Sequence, residues 1–108
     1  MVRLVEFETR DLPFDLADDV YVYMKNDPEF YRKEYFPALC KCCDDHKAGG
    51  YDIKKTMDPV IDRAFNMYKN KFDMPKHQYK LFDDSCKESI VDMITNEESS
   101  CIERGDYS

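Results

Sequence analysis

The sequence predicts an all-α fold: one domain over residues 1–108, a compact bundle of about four helices with an extended N-terminal arm. Three observations lead there. Three glycines and five prolines are too few for a turn-dense β fold or a disordered chain. Four stretches place apolar residues at spacings of three and four, the period of a half-buried helix. Two Asp-Pro pairs, Asp27-Pro28 and Asp58-Pro59, have the chemistry of helix starts.

Each element follows from local signals. "VRLVEFE" is short and β-branched with no strand to pair with, and reads as an arm packed on the body. The first helix is expected from about Pro13 to Lys25. Asp15, Asp18 and Asp19 suit its positive end, and Leu16, Val20, Tyr23 and Met24 share a face. The second starts with Asp27 as cap, Pro28 in the first turn and Glu29 behind it. It carries Tyr31, Tyr35, Ala38, Leu39, Cys42 and His46 on one stripe, with Gly49-Gly50 as its stop. Pro37 lies inside and should kink or split it.

The third helix is expected to start at Asp58-Pro59, with room for a short helical turn over 52–57 before it, and with Ile61, Ala64, Phe65, Tyr68 and Phe72 inward. "FDMPKHQYKLF" reads as a loop. The fourth begins near Ser85, which has capping-box spacing to Glu88. It carries Cys86, Ile90, Met93, Ile94 and Cys101 inward and stops at Gly105. The third helix is expected at the centre, with Ile61, Phe65 and Tyr68 packed against Val20, Leu39 and Ile90.

Charge is segmented. Residues 1–30 hold eight acids and three bases, giving −5. Residues 31–82 hold seven acids and eleven bases, giving +4. Residues 83–108 hold eight acids and two bases, giving −6. Solvated helix faces account for this, and so does a dipolar surface that meets a charged partner. The longest apolar run, Val20 to Met24, is far below the roughly 20 residues of a membrane span. The N-terminus lacks a signal-peptide core, and five cysteines is an odd number. A soluble cytoplasmic protein with reduced thiols is the expectation, with no membrane partner.

The most chemically loaded stretch is "ALCKCCDDHK". Zinc takes four ligands, usually as two separated pairs, and no second pair follows this cluster. The preferred reading turns Cys42 and Leu39 to the core, with Cys40 or Cys43 at its edge. The alternative is a metal-binding regulator using Cys40, Cys43 and His46. An EF-hand is excluded, because Lys55 or Thr56 would stand at its twelfth position. Glycine-rich nucleotide loops are absent. No catalytic residue can be singled out, and no cofactor is implied. "EFYRKEYF" mixes aromatic and basic residues, yet a net charge of −7 opposes phosphate binding, so nucleic acid is not an expected partner.

"VYVYMKNDPEFYRKEYFPALC", followed by "MDPVIDRAFNMYKNKF", resembles small proteins of T4-like marine bacteriophages, notably cyanophages. The likeness covers most of the chain. No activity is assigned to that family, so no functional residues carry over. The resemblance implies a small accessory protein acting in the cytoplasm of an infected bacterium.

Two functional expectations follow. One is a non-catalytic protein that binds a host or phage protein; the other is an acidic decoy that mimics a nucleic-acid backbone. Six aromatics crowd residues 21–36, more than two helices can turn inward. A homodimer or hetero-interface through the first two helices is therefore expected, with Tyr21, Tyr31 and Arg32 as contacts. Core packing of the same rings is the rival account.

Overall fold

The computed structural model describes residues 13–107, with side chains from Leu16 onward. The N-terminal arm lies outside the described residues. The elements are α1 (Pro13–Asn26), a first turn α2 (Pro28–Phe30), a π-helical turn (Tyr31–Tyr35), α3 (Phe36–Lys47), α4 (Ile53–Lys71), a 3-10 helix (Lys76–Leu81) and α5 (Asp84–Arg104). The all-α fold class is as the sequence predicts. No strand occurs among the described residues, and no helix there is long and apolar enough to cross a membrane.

Asp27 caps the second helical stretch as expected: its Oδ1 accepts the Phe30 amide at 2.9 Å, and Pro28 follows in the first turn. The expected break at Pro37 takes a specific form. In a regular α-helix its ring would meet the carbonyl of Lys33, four residues back. Instead the preceding turn is widened, and the Phe36 amide reaches the Tyr31 carbonyl, five residues back. The stretch from Pro28 to Lys47 thus holds two α-helical segments around one π turn. Gly49, at φ +130°, takes the chain out of α3.

Three expected boundaries need correction. The expected third helix, α4, is capped by Asp52, not Asp58. Asp52 accepts the Lys55 amide at 3.1 Å, and Pro59 lies inside the helix. Asp58 instead pairs with Lys54 at 3.7 Å, and its Oδ1 is buried without a partner. Ile53 and Met57, six and two residues before Pro59, are buried, and this burial offsets the backbone bond the proline removes. The last helix is capped by Asp83, which accepts the Cys86 amide at 2.9 Å, so the Ser85 capping box does not form. The expected loop contains the 3-10 helix Lys76–Leu81. Pro75 sets its entry, and Phe82 lies flat on Phe65 with ring centres 4.0 Å apart.

One core joins all the helices. Ile61, Phe65, Tyr68, Val20, Leu39 and Ile90 are all within it. α5 rather than α4 makes the most extensive packing, against α1, α4 and α3. Its inward residues are Cys86, Ile90, Ile94, Glu98 and Ile102; Met93 and Cys101 are only half-buried. After Arg104 the chain reverses at Gly105, φ 80°. The amides of Gly105 and Asp106 close on the carbonyls of Ile102 and Cys101, a Schellman turn.

Two stability measurements check this account. Ile90→Ala, at a fully buried position of the most connected helix, should destabilise the fold by about 2–5 kcal/mol in denaturant unfolding. Asp83→Ala should lower the unfolding midpoint, whereas Ser85→Ala should leave it nearly unchanged. Equal effects would place the cap at the wrong residue.

Candidate binding surface

The cysteine-rich segment forms most of α3, and the helix spreads its side chains around the axis. Cys42 and Cys43 are fully buried, Cys40 is half-buried, and His46 is exposed with its ring edge-on to Tyr51 at 5.5 Å. At about 100° per residue, Cys40, Cys43 and His46 fan over roughly a third of a turn. The structure does not bring them together: among the described residues no three His, Cys, Asp or Glu side chains are placed to hold a metal ion. All five cysteines are free thiols. Burial pushes the Cys42 and Cys40 thiols up from their ordinary values and takes Cys86 to about 12. A thiol held protonated is a poor nucleophile and a poor ligand. Cys42 packs with Leu39 in the core, as the preferred sequence reading has it.

The aromatics of residues 21–36 divide sharply. Tyr21, Tyr23, Phe30 and Tyr35 are buried. Tyr21 is therefore not a surface contact. It is 4% exposed, its hydroxyl donates to Glu97 at 2.8 Å, and its ring stands edge-on to Tyr35. Core packing accounts for these four rings. Tyr31 remains half-buried, while Arg32 and Phe36 are exposed.

The π turn decides which of these rings meet. In an α-helix, residues five apart point about 140° away from each other. The wider turn brings Tyr31 and Phe36 onto one side, with ring centres 6.0 Å apart. Tyr107 completes the group from the other end of the chain. The Schellman turn folds it back so that its ring stands edge-on to Phe36 at 5.8 Å. Phe36, 39% exposed, is thus flanked by two half-buried tyrosines at the surface.

Beneath them lies Glu98, 9% exposed on the inner side of α5. Its Oε2 accepts the Tyr35 hydroxyl at 3.4 Å, and its Oε1 accepts the Tyr107 hydroxyl. The carboxyl group therefore ties the C-terminal turn to the π turn. Burial, foremost, holds the phenols of Tyr21, Tyr35 and Tyr107 well above their ordinary values; Glu97 and Glu98 push the same way. The arrangement offers apolar and aromatic contact with a guanidinium on the same turn. It has the composition of a protein-binding patch.

The sequence reading names Tyr31 and Arg32 as contacts and counts Phe36 among the six crowded aromatics without choosing it; Glu98 and Tyr107 it missed. A usable signal for Tyr107 was its place two residues after a helix-ending glycine. Comparison with family models, curated proteins and solved structures gives no match.

The raised phenols make a signed prediction. In the unfolded chain tyrosines ionise near pH 10. The folded state keeps these protons, so stability present below about pH 10 should be lost as the pH rises further. Tyr35→Phe removes one such phenol. Its unfolding free energy, measured in urea between about pH 8 and pH 11, should fall less steeply than that of the wild type. An identical slope would mean that Tyr35 ionises freely in the fold.

Proposed function

We propose that this chain is a small non-catalytic accessory protein of a bacteriophage that binds a host or phage protein in the infected cell. The observation that carries the binding reading is the ring group Tyr31, Phe36 and Tyr107, with Phe36 exposed and Arg32 on the same turn. Exposed single apolar residues are ordinary on protein surfaces. Here a widened helical turn and a folded-back terminus converge on one, and aromatic rings with an arginine are the usual anchors of protein interfaces. The likeness of "NDPEFYRKEYF" to small phage proteins supports the phage setting and the bacterial cytoplasm.

The decoy reading draws on Asp84, Glu88 and Asp92, exposed at four-residue spacing along α5. Against it, other acids are engaged within the molecule: Asp27 with Lys71, Asp62 with Lys87 and Glu97 with Lys25. A duplex carries a charge about every 1.7 Å, far denser than one helical stripe. A complex made by the aromatic patch should therefore persist at high salt, where a decoy complex would dissociate.

Affinity capture from infected-cell lysate tests the proposal. The wild type should retain a partner protein that Phe36→Ser, folded to the same helical content, loses. Equal recovery by both proteins would remove the patch from the account. A second copy of this chain as the captured species would identify a homodimer, and sedimentation of the purified protein would show it directly.

A further inference from the structure

A cleft of about 270 Å³ opens between the C-terminal half of α1 and the end of α4, and no residue of the ring group lines it. Tyr23, Phe72, Pro28 and Val22 form its apolar walls, and Val22 is 51% exposed. The Tyr23 and Phe72 rings stand edge to face, 6.4 Å apart. Two carboxylates, Asp19 and Asp27, line it as well. Asp19 accepts the Tyr68 hydroxyl at 3.2 Å. Asp27 is fixed by its role as cap: Oδ1 takes the Phe30 amide at 2.9 Å. Its other oxygen, Oδ2, meets the ammonium of Lys71 at 3.2 Å, and that ammonium stands 5.7 Å from the centre of the Tyr23 ring.

The two partners of this ion pair are unequal. The Asp27 side chain is 13% exposed, that of Lys71 56%. The acceptor is shielded and anchored to the backbone, while the cation reaches it from solvent on a flexible stem. A fixed carboxylate beside an aromatic ring in a mainly apolar recess is the chemistry that holds an organic ammonium. The carboxylates disfavour anions.

The geometry points to this cleft as a binding site for a small alkylammonium, with Lys71 as a tethered stand-in for the ligand. An external ligand, free of the α4 backbone that tethers the Lys71 stem, can lay its alkyl chain against Val22, Pro28 and Phe72 while its ammonium meets Asp27 Oδ2. The same chemistry is available from a free amine and from a lysine side chain of another protein.

The test is a titration of isotope-labelled protein with n-butylammonium, following the amide resonances of Val22, Tyr23, Asn26 and Phe72. n-Butanol serves as the neutral ligand of equal length. Saturable shifts are expected for butylammonium, with butanol roughly tenfold weaker for want of the charge-assisted contact. Lys71→Met removes the competitor and should tighten binding several-fold. Asp27→Asn keeps a capping side chain and should abolish the preference for ammonium over alcohol. A blocked Gly-Lys-Gly tripeptide then assigns the source: tighter binding than butylammonium means a lysine side chain, weaker binding a free amine. The proposal is overturned by any of three results. They are no saturation by roughly 10 mM, where so small a ligand of millimolar affinity would saturate; equal binding of butanol and butylammonium; or no gain from Lys71→Met.

Discussion

The missing amide of Pro37 is the constraint on which the rest of this structure turns. A proline one helical turn after Lys33 cannot continue a regular α-helix without a clash costing about 3 kcal/mol or more. The chain answers by widening the turn before it, so that Phe36 bonds to Tyr31. The consequence is a one-residue shift of phase. Downstream, Ala38, Leu39, Cys42 and Cys43 face the core; upstream, the inward residues are Phe30 and Tyr35, five apart. The same shift that buries Phe30 leaves Tyr31 at the rim and sets Phe36 beside it. Core packing and the exposed ring group are two results of one backbone adjustment.

The segmented charge has a similarly internal explanation. Opposite charges meet across helices and mostly across segments: Lys25 of the first with Glu97 of the last, Lys71 of the middle with Asp27 of the first, Lys87 of the last with Asp62 of the middle, and Arg63 with Glu34 within the middle. Such pairs, each with one partner more than half exposed, contribute little each, commonly below about 1 kcal/mol. Burial of Ile61, Ile90, Ile94 and their neighbours provides the driving force, and the ion pairs favour one way of arranging the helices over others. A chain whose acids and bases are sorted along the sequence therefore need not present a sorted surface.

The fold class was legible because helical periodicity survives almost any local uncertainty. Leu16, Val20 and Met24 in α1, and Ile61, Ala64, Phe65 and Tyr68 in α4, face inward as their spacing requires. Boundaries were less legible, since several residues at each end had capping chemistry. Asp58-Pro59 is a good helix start in isolation, and the apolar series Ile53, Met57, Val60, Ile61 running straight through it was the contrary signal. Asp83 and Ser85 are both competent caps, and the inward place of Cys86 selects the first. The candidate site was half legible. Tyr31 and Arg32 stood out by composition, but Tyr21 looked equally exposed until the shifted phase of the π turn set Tyr35 against it. Tyr107 could not be joined to Phe36 by any local pattern, because 71 positions separate them and only the tertiary fold spans that distance.

Glu98 shows how the core and the surface patch are coupled. A carboxyl group on the inner face of α5 is costly unless its oxygens find donors. Here the donors are two phenols, and one belongs to the penultimate residue of the chain. An apolar residue would fill the same space without needing Tyr107 at all. The carboxyl group instead makes the C-terminal turn part of the core's hydrogen-bonding requirement. The αL conformation at Gly105 directs the chain back toward that acceptor, and the Tyr107 ring comes to rest on Phe36 as its hydroxyl reaches Glu98. The outer edge of the aromatic patch is thus held by a polar contact beneath it, which orients the ring in a way apolar packing, having no direction, does not.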